Sequence, residues 1–330
     1  HTEHRSNTPS TRRTRPRKQE GTATEKRRRT RRGKRWLRRV VAGLAVLACA
    51  VPYFLLDSTH VRLPAMADVP ATTCACTRLH IGEASRPPDV QALRAFVDRV
   101  APHVDRVAIA VGAPGIDDTA ERLRQLSDLV ARCQAATRDA ETIVDIIPVD
   151  PWGAFTPALN ALAAHASKQG CGLALFASVE TTFSSETVAA LRAQLVTHDA
   201  LVVGAALPGH DFQEGRRPLG GRTAPWNTLA LWRLDRLCLV GFPLVADGVH
   251  AGVAAGVEEV ATIRAAHALD PSRATAVLLE APGVEWATSF DDPARADWHA
   301  RKMSSKEARP AVHLELMGGS KGATVLHVSG

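Results

Sequence analysis

The chain has 330 residues, 45% of them hydrophobic, and a formal net charge of +7 from 41 Lys or Arg against 34 Asp or Glu. The excess lies in residues 1–39, with 16 Lys or Arg and three acids; the remainder carries 25 basic and 31 acidic side chains. A folded portion with that balance has no electrostatic footprint for nucleic acid, which is excluded as a partner.

Residues 1–39 are rich in Arg, Thr, Ser and Pro and nearly free of apolar side chains. They cannot bury enough surface to fold, so a disordered basic arm is expected. Val40–Leu56 follows, VVAGLAVLACAVPYFLL, 17 residues without a charge, with Trp36 and Tyr53 near its ends. That length is at the lower limit for a transmembrane helix, and the arginines before it keep the N-terminus cytoplasmic. The expectation is a single-pass type II anchor with the main domain in the Golgi or ER lumen. The competing reading is a cleaved signal or organelle-targeting segment, since PAMA at 64–67 ends in a small-x-small pattern. Residues 57–77, with Pro64 and Pro70, read as a stalk. Within the stalk, Cys74-x-Cys76 is too closely spaced for a zinc knuckle; a disulfide or a plain apolar role is open to it.

From residue 78 to 330 the pattern alternates strand and helix. RLHI is a short strand and PPDVQALRAFVDRVAPH an amphipathic helix opened by Pro87 and Pro88. DRVAIAVGAPG is a buried strand ending in a turn. The helix IDDTAERLRQLSDLVARC has Asp117 or Asp118 as N-cap and Leu123, Leu126, Leu129 and Val130 as its core face. TIVDIIPVD, GLALFASVE and ALVVGAALPG are three further strands, separated by the helices FTPALNALAAHASKQ and SETVAALRAQLVTH, the latter capped by Ser184 or Ser185. Four such strands with intervening helices predict an α/β fold, a mostly parallel central sheet with helices on both faces. Ligands of such sheets bind at the C-terminal ends of the strands. No G-x-G-x-x-G, P-loop or G-x-S-x-G motif is present, which removes the simple dehydrogenase, kinase and hydrolase readings.

Five stretches carry a resemblance by order and spacing over about residues 79–270: AVGAPGIDDTAERL, WGAFTPALNALAAHA, KQGCGLALFASVE, APWNTLALWRLDRLCLVGF and GVEEVATIRAA. Together they resemble the GT-A glycosyltransferases, the nucleotide-diphospho-sugar transferase fold, and within it the large inverting, family-2-like group. The resemblance implies a nucleotide-sugar donor and a glycan, protein or lipid acceptor. It implies donor contacts from Asp118, Gly153, Asn160, Ser178, Glu180 and Arg233, acceptor contacts from Trp226 and Asp247, and a catalytic carboxylate at Glu258 or Glu259. Where the family has D-x-D this chain has Ser178-Val179-Glu180. The motif is degenerate, leaving Glu180 as the one carboxylate for Mn or Mg, with Asp247, His313 or His327 as candidate further ligands.

Each of these residues also has a structural reading. Glu180 can cap the following helix, Asn160 can hold a loop, Glu258 and Glu259 suit a helix N-terminus, and Trp226 beside Asn227 can be core. Arg301, Lys302, Lys306 and Arg309 form a basic cluster that either faces the donor diphosphate as fixed cations or is a solvated helix face. The alternatives to an enzyme of this family are a catalytically inactive GT-A-like binding or scaffolding protein and a nucleotidyltransferase, the last lacking its Gly-rich signature.

Overall fold

Strands buried on both faces need apolar residues at successive positions, and the centre of this protein supplies them in a run of small ones. In the computed structural model TCACTRLH forms β1, Thr73–His80, between β2, Arg106–Gly112, and β4, Leu173–Ala177. The structure describes residues 72–81, 88–250, 252–286, 297, 300–301 and 303–330, all within the unit 66–330. The expected basic arm and membrane segment at 40–56 lie outside the described residues. Among the described residues no helix is long and apolar enough to cross a membrane.

β1 begins inside the stretch read as stalk, which corrects the 77/78 boundary. Cys74 and Cys76 are buried free thiols on one side of this strand, and their partners are backbone carbonyls and each other. Only its end was read, as RLHI; the part before it was missed because Thr, Cys and Ala are too small to read as a hydrophobic run. Here small side chains are what the close approach of neighbouring layers requires.

The remaining elements are α1, Val90–Val100; α2, Thr119–Thr137; β3, Ile143–Pro148; α3, Thr156–Lys168; β5, Thr181–Thr182; and α4, Ser185–Thr197. They continue with β6, Val202–Ala205; β7, Gly215–Pro218; β8, Leu229–Arg233; α5, Leu234–Val240; α6, Glu258–Leu269; β9, Ala276–Glu280; β10, Glu285–Trp286; α7, Ala308–Leu316; and β11, Thr324–Ser329. Helix starts follow sequence chemistry: Asp89 accepts from the N–H groups of Gln91 and Ala92, and Ser184 forms a reciprocal cap with Thr187. On α2, Leu126, Leu129 and Cys133 are buried whereas Leu123 is 49% exposed, so the core face is rotated from the expected one.

The nine-stranded sheet runs β3-β2-β1-β4-β8-β6-β9-β11-β7. It is mixed, where a mostly parallel sheet was expected. β8 is inserted antiparallel between β4 and β6, and β7 lies antiparallel to β11 at the edge. Alternate strand residues feed two cores. Cys76, Phe176 and Trp232 pack against α3, α5 and α6 on one face, and Ile109, Leu175 and Leu231 pack against α1, α2 and α4 on the other. Each Leu, Ile or Phe among them contributes about 1.5–3 kcal/mol on burial.

The antiparallel insertion has a functional consequence. Thr228 precedes β8, and its carbonyl accepts from the N–H of Ser178 just beyond the end of β4 at 3.0 Å. The start of β8 and the C-terminal ends of β1 and β4 therefore share one edge of the sheet.

Candidate active site

At that edge lies a cavity of about 390 Å³. β1 contributes Arg78, the turn after β4 contributes Ser178, Val179 and Glu180, and the approach to β8 contributes Asn227 and Thr228. The connection after β3, which contains the cis Asp150–Pro151 peptide, adds Trp152 and Phe155. The remaining wall is Gly256–Glu259 at the start of α6, with Lys306 and Arg309.

The two carboxyl groups at 258 and 259 are placed there by an unusual entry into α6. Gly256 has φ +110° and Val257 stands in the left-handed region at φ +60°, a conformation that costs a β-branched residue and persists only where its surroundings hold it. A side chain at position 256 would run into the guanidinium of Arg309. Both glutamates are 4% exposed. The backbone N–H of Asn227 donates to the Glu259 carboxyl group. Burial and then the adjacent Glu258 push the Glu259 carboxyl up to about 7, against the opposing pull of Lys306 and the Asn227 hydrogen bond.

Lys306 is held from two directions. Its ammonium lies 3.1 Å from the centre of the Trp226 ring, and its backbone carbonyl packs so close to Gly221 that any Cβ there would overlap it. Trp226 is fully buried, donates its indole N–H to the Gly221 carbonyl at 2.7 Å, and stacks with His210 at 3.6 Å between ring centres. Burial drives the His210 imidazole down to about 3, so it stays neutral beneath this cation. Arg309 donates to the carbonyls of Ala255 at 2.7 Å and Ser305 at 3.3 Å; burial lowers its pKa, opposed by Glu258 and Glu259. Arg78 donates to the Phe155 carbonyl and lies 5.1 Å over the Phe155 ring centre.

Of the residues expected at the site, the fold brings Ser178, Glu180, Glu258 and Glu259 to one cavity. The others lie elsewhere for identifiable reasons. Asp118 caps α2 by accepting from Glu121 N–H at 2.8 Å. Asn160 clamps the backbone of Phe242, accepting from its N–H at 2.7 Å and donating to its carbonyl at 2.9 Å. Arg233 pairs with Leu173 at the beginning of β4 and forms ion pairs with Asp199 and Asp235, which puts it at the opposite edge of the sheet. Trp226 is core beneath Lys306 and does not line the cavity; its neighbour Asn227 does.

Asp247 is another correction. Its carboxylate accepts from the N–H groups of Ala154, Phe155 and Thr156 at 3.0, 2.6 and 2.8 Å, closing the N-terminus of α3 from the short 3-10 helix Leu244–Asp247. Gly153, at φ +65°, makes room for it, since a Cβ there would press on that carboxylate. Asp247→Ala should therefore lower stability by about 1–2 kcal/mol. A shifted midpoint in urea denaturation, with unchanged slope, is the expected readout.

The described residues do not fit a divalent metal centre. Among the described residues no three His, Cys, Asp or Glu side chains converge, and the Ser178 hydroxyl is engaged with that of Thr181 at 3.0 Å. His313 and His327 bond backbone groups of residues 254, 213 and 223. Sequence reasoning overlooked Arg78, Trp152 and Phe155. Arg78 stands first in the expected strand RLHI, and only in the observed β1, Thr73–His80, does it fall near the C-terminal end.

No family model matches the sequence, and no curated protein matches it. Among solved structures the chain is similar to S. aureus TarS 1–349 in complex with UDP-GlcNAc, at 12% identity over 74% of this chain and 71% of that one, with a TM-score of 0.41. It is similar at 13% identity to the same fragment in complex with UDP, over 74% and 70%, with a TM-score of 0.39. In two further matches the chain spans only 55% of TarS 1–349 and 33% of TarS. A likeness this distant assigns neither family nor activity.

Proposed function

We propose that the protein is a glycosyltransferase that takes a sugar from a nucleotide donor and passes it to an acceptor hydroxyl with inversion. The observation that carries this reading is the meeting, in one cavity at the strand ends, of a buried carboxyl group raised to about 7 with a set of fixed cations. A base that titrates near neutral pH suits proton transfer from an alcohol. Glu259 takes the proton of the acceptor hydroxyl as its oxygen forms a bond to the sugar carbon. The bond from that carbon to the donor phosphate breaks with its electron pair, and the nucleoside diphosphate departs. Glu258 acts on Glu259 through charge, and Asn227 orients it through the backbone N–H. Glu180 closes the wall beside β4 and contacts the donor.

The anchoring expected at 40–56 extends the proposal: a type II membrane enzyme working in a secretory lumen. Alkaline extraction of membranes from cells expressing the whole chain checks this, retention in the membrane fraction being the expected result.

The catalytic reading is tested by incubating the protein with a panel of nucleotide sugars and measuring release of the nucleoside diphosphate. The expected result is turnover of one donor class, reduced in Glu180→Ala. Binding of a nucleotide without turnover of any donor favours the scaffolding alternative.

A further inference from the structure

This inference rests on the donor-site reading above and concerns how the leaving diphosphate is stabilised. Breaking the bond to a diphosphate donor adds one negative charge to a leaving group that already carries two, and some group must balance it as the bond breaks. The strand end offers one carboxylate, Glu180, next to a hydroxyl already bonded within its own turn. Besides Arg78, which is held to Phe155, the cavity is lined by Lys306, 6% exposed and seated on Trp226, and Arg309, anchored to the carbonyls of Ala255 and Ser305.

We propose that Lys306 and Arg309, and not a divalent cation, bind the donor diphosphate and stabilise it as a leaving group. Three features support this over a purely structural role for the cations. Both residues line the cavity, so an anion bound there lies beside them. Both are immobilised before any ligand arrives, so little side-chain entropy remains to be lost on binding. The Trp226 ring seats the ammonium, and the close fit of Gly221 against the Lys306 carbonyl holds the backbone that carries it. The guanidinium supplies planar, paired donors and the ammonium a point charge, the two complementary ways of holding phosphate oxygens.

Calorimetric titration of the whole protein with inorganic pyrophosphate and with UDP and GDP, in EDTA and again in manganese, tests the assignment. The expected result is binding in EDTA that manganese does not tighten, with the dissociation constant raised about tenfold or more in Lys306→Met and in Arg309→Gln, and restored towards wild type in Lys306→Arg. Melting curves identify which variants are folded, and the comparison of EDTA with manganese on the wild-type protein needs no variant. Binding that appears only with manganese, or that is lost in Glu180→Gln while both cation variants bind normally, overturns the inference and leaves the glycosyltransferase reading standing. Pyrophosphate binding in EDTA without binding of either nucleotide upholds the cation site and counts against a uridine or guanosine donor. Silence with all three ligands overturns the inference and the donor site together.

Discussion

Replacing Glu259 with Gln will lower kcat by about 10²–10⁴-fold while leaving donor KM nearly unchanged, the range expected when a positioned general base is removed. Gln keeps the acceptor oxygen that receives the Asn227 N–H, so the loop geometry survives the change. In the wild type, activity should fall as pH drops through about 7, where Glu259 takes up a proton; the residual activity of the variant should lack that limb. Stability should move the other way. A carboxyl group whose folded pKa lies above its ordinary value of 4.5 favours the native state most when protonated. Its contribution is therefore full below about 4.5 and lost as pH rises through about 7. Glu259→Gln should therefore be more stable than wild type at pH 8 and little different at pH 4. Denaturant titrations at the two pH values, beside initial rates across the range, check both signs. An unchanged kcat, or a variant less stable at pH 8, removes Glu259 from its role.

The second large effect belongs to Trp226. Truncation to Ala removes a fully buried ring, its hydrogen bond to Gly221, its stack with His210 and the cushion under Lys306. The expected cost is about 3–5 kcal/mol, or a fall in Tm of roughly 10 °C for a domain of this size. Trp226→Phe retains a ring face for Lys306 and gives up the indole N–H, for a cost of about 1 kcal/mol. Differential scanning calorimetry on the pair distinguishes a core role from the acceptor platform suggested by sequence. A Trp226→Ala protein with an unchanged Tm and only a raised acceptor KM would restore the platform reading.

The contrast between Trp226 and Asn227 shows what was legible in the sequence. Adjacent residues in one turn carry no information about which side chain faces inward until β8 is set between β4 and β6. The stretch LALWRLDRLCLV could continue as one helix, and the break at Arg233 arises from pairing with strands distant in the chain. The same pairing sends Arg233 to the far edge, where it meets Asp199 and Asp235. Asp247 and Asn160 likewise have polar side chains that a donor site could use, and the fold commits both to backbone groups.

Local chemistry alone determined a good deal. The alternation of buried strands with helices fixed an α/β layer architecture, because periodicity reports which faces are apolar. Short polar side chains that satisfy a helix N-terminus narrowed the caps to Asp117 or Asp118 and Ser184 or Ser185, of which Asp118 and Ser184 serve. Glu180 at the end of an apolar run and the acid pair opening α6 were visible as candidates. Only the tertiary structure decided that they share a cavity with Lys306 and Arg309, that the sheet is mixed, and that β1 begins at Thr73. These depend on contacts between residues far apart in the chain, and a sequence pattern records the burial of a residue without recording its partner.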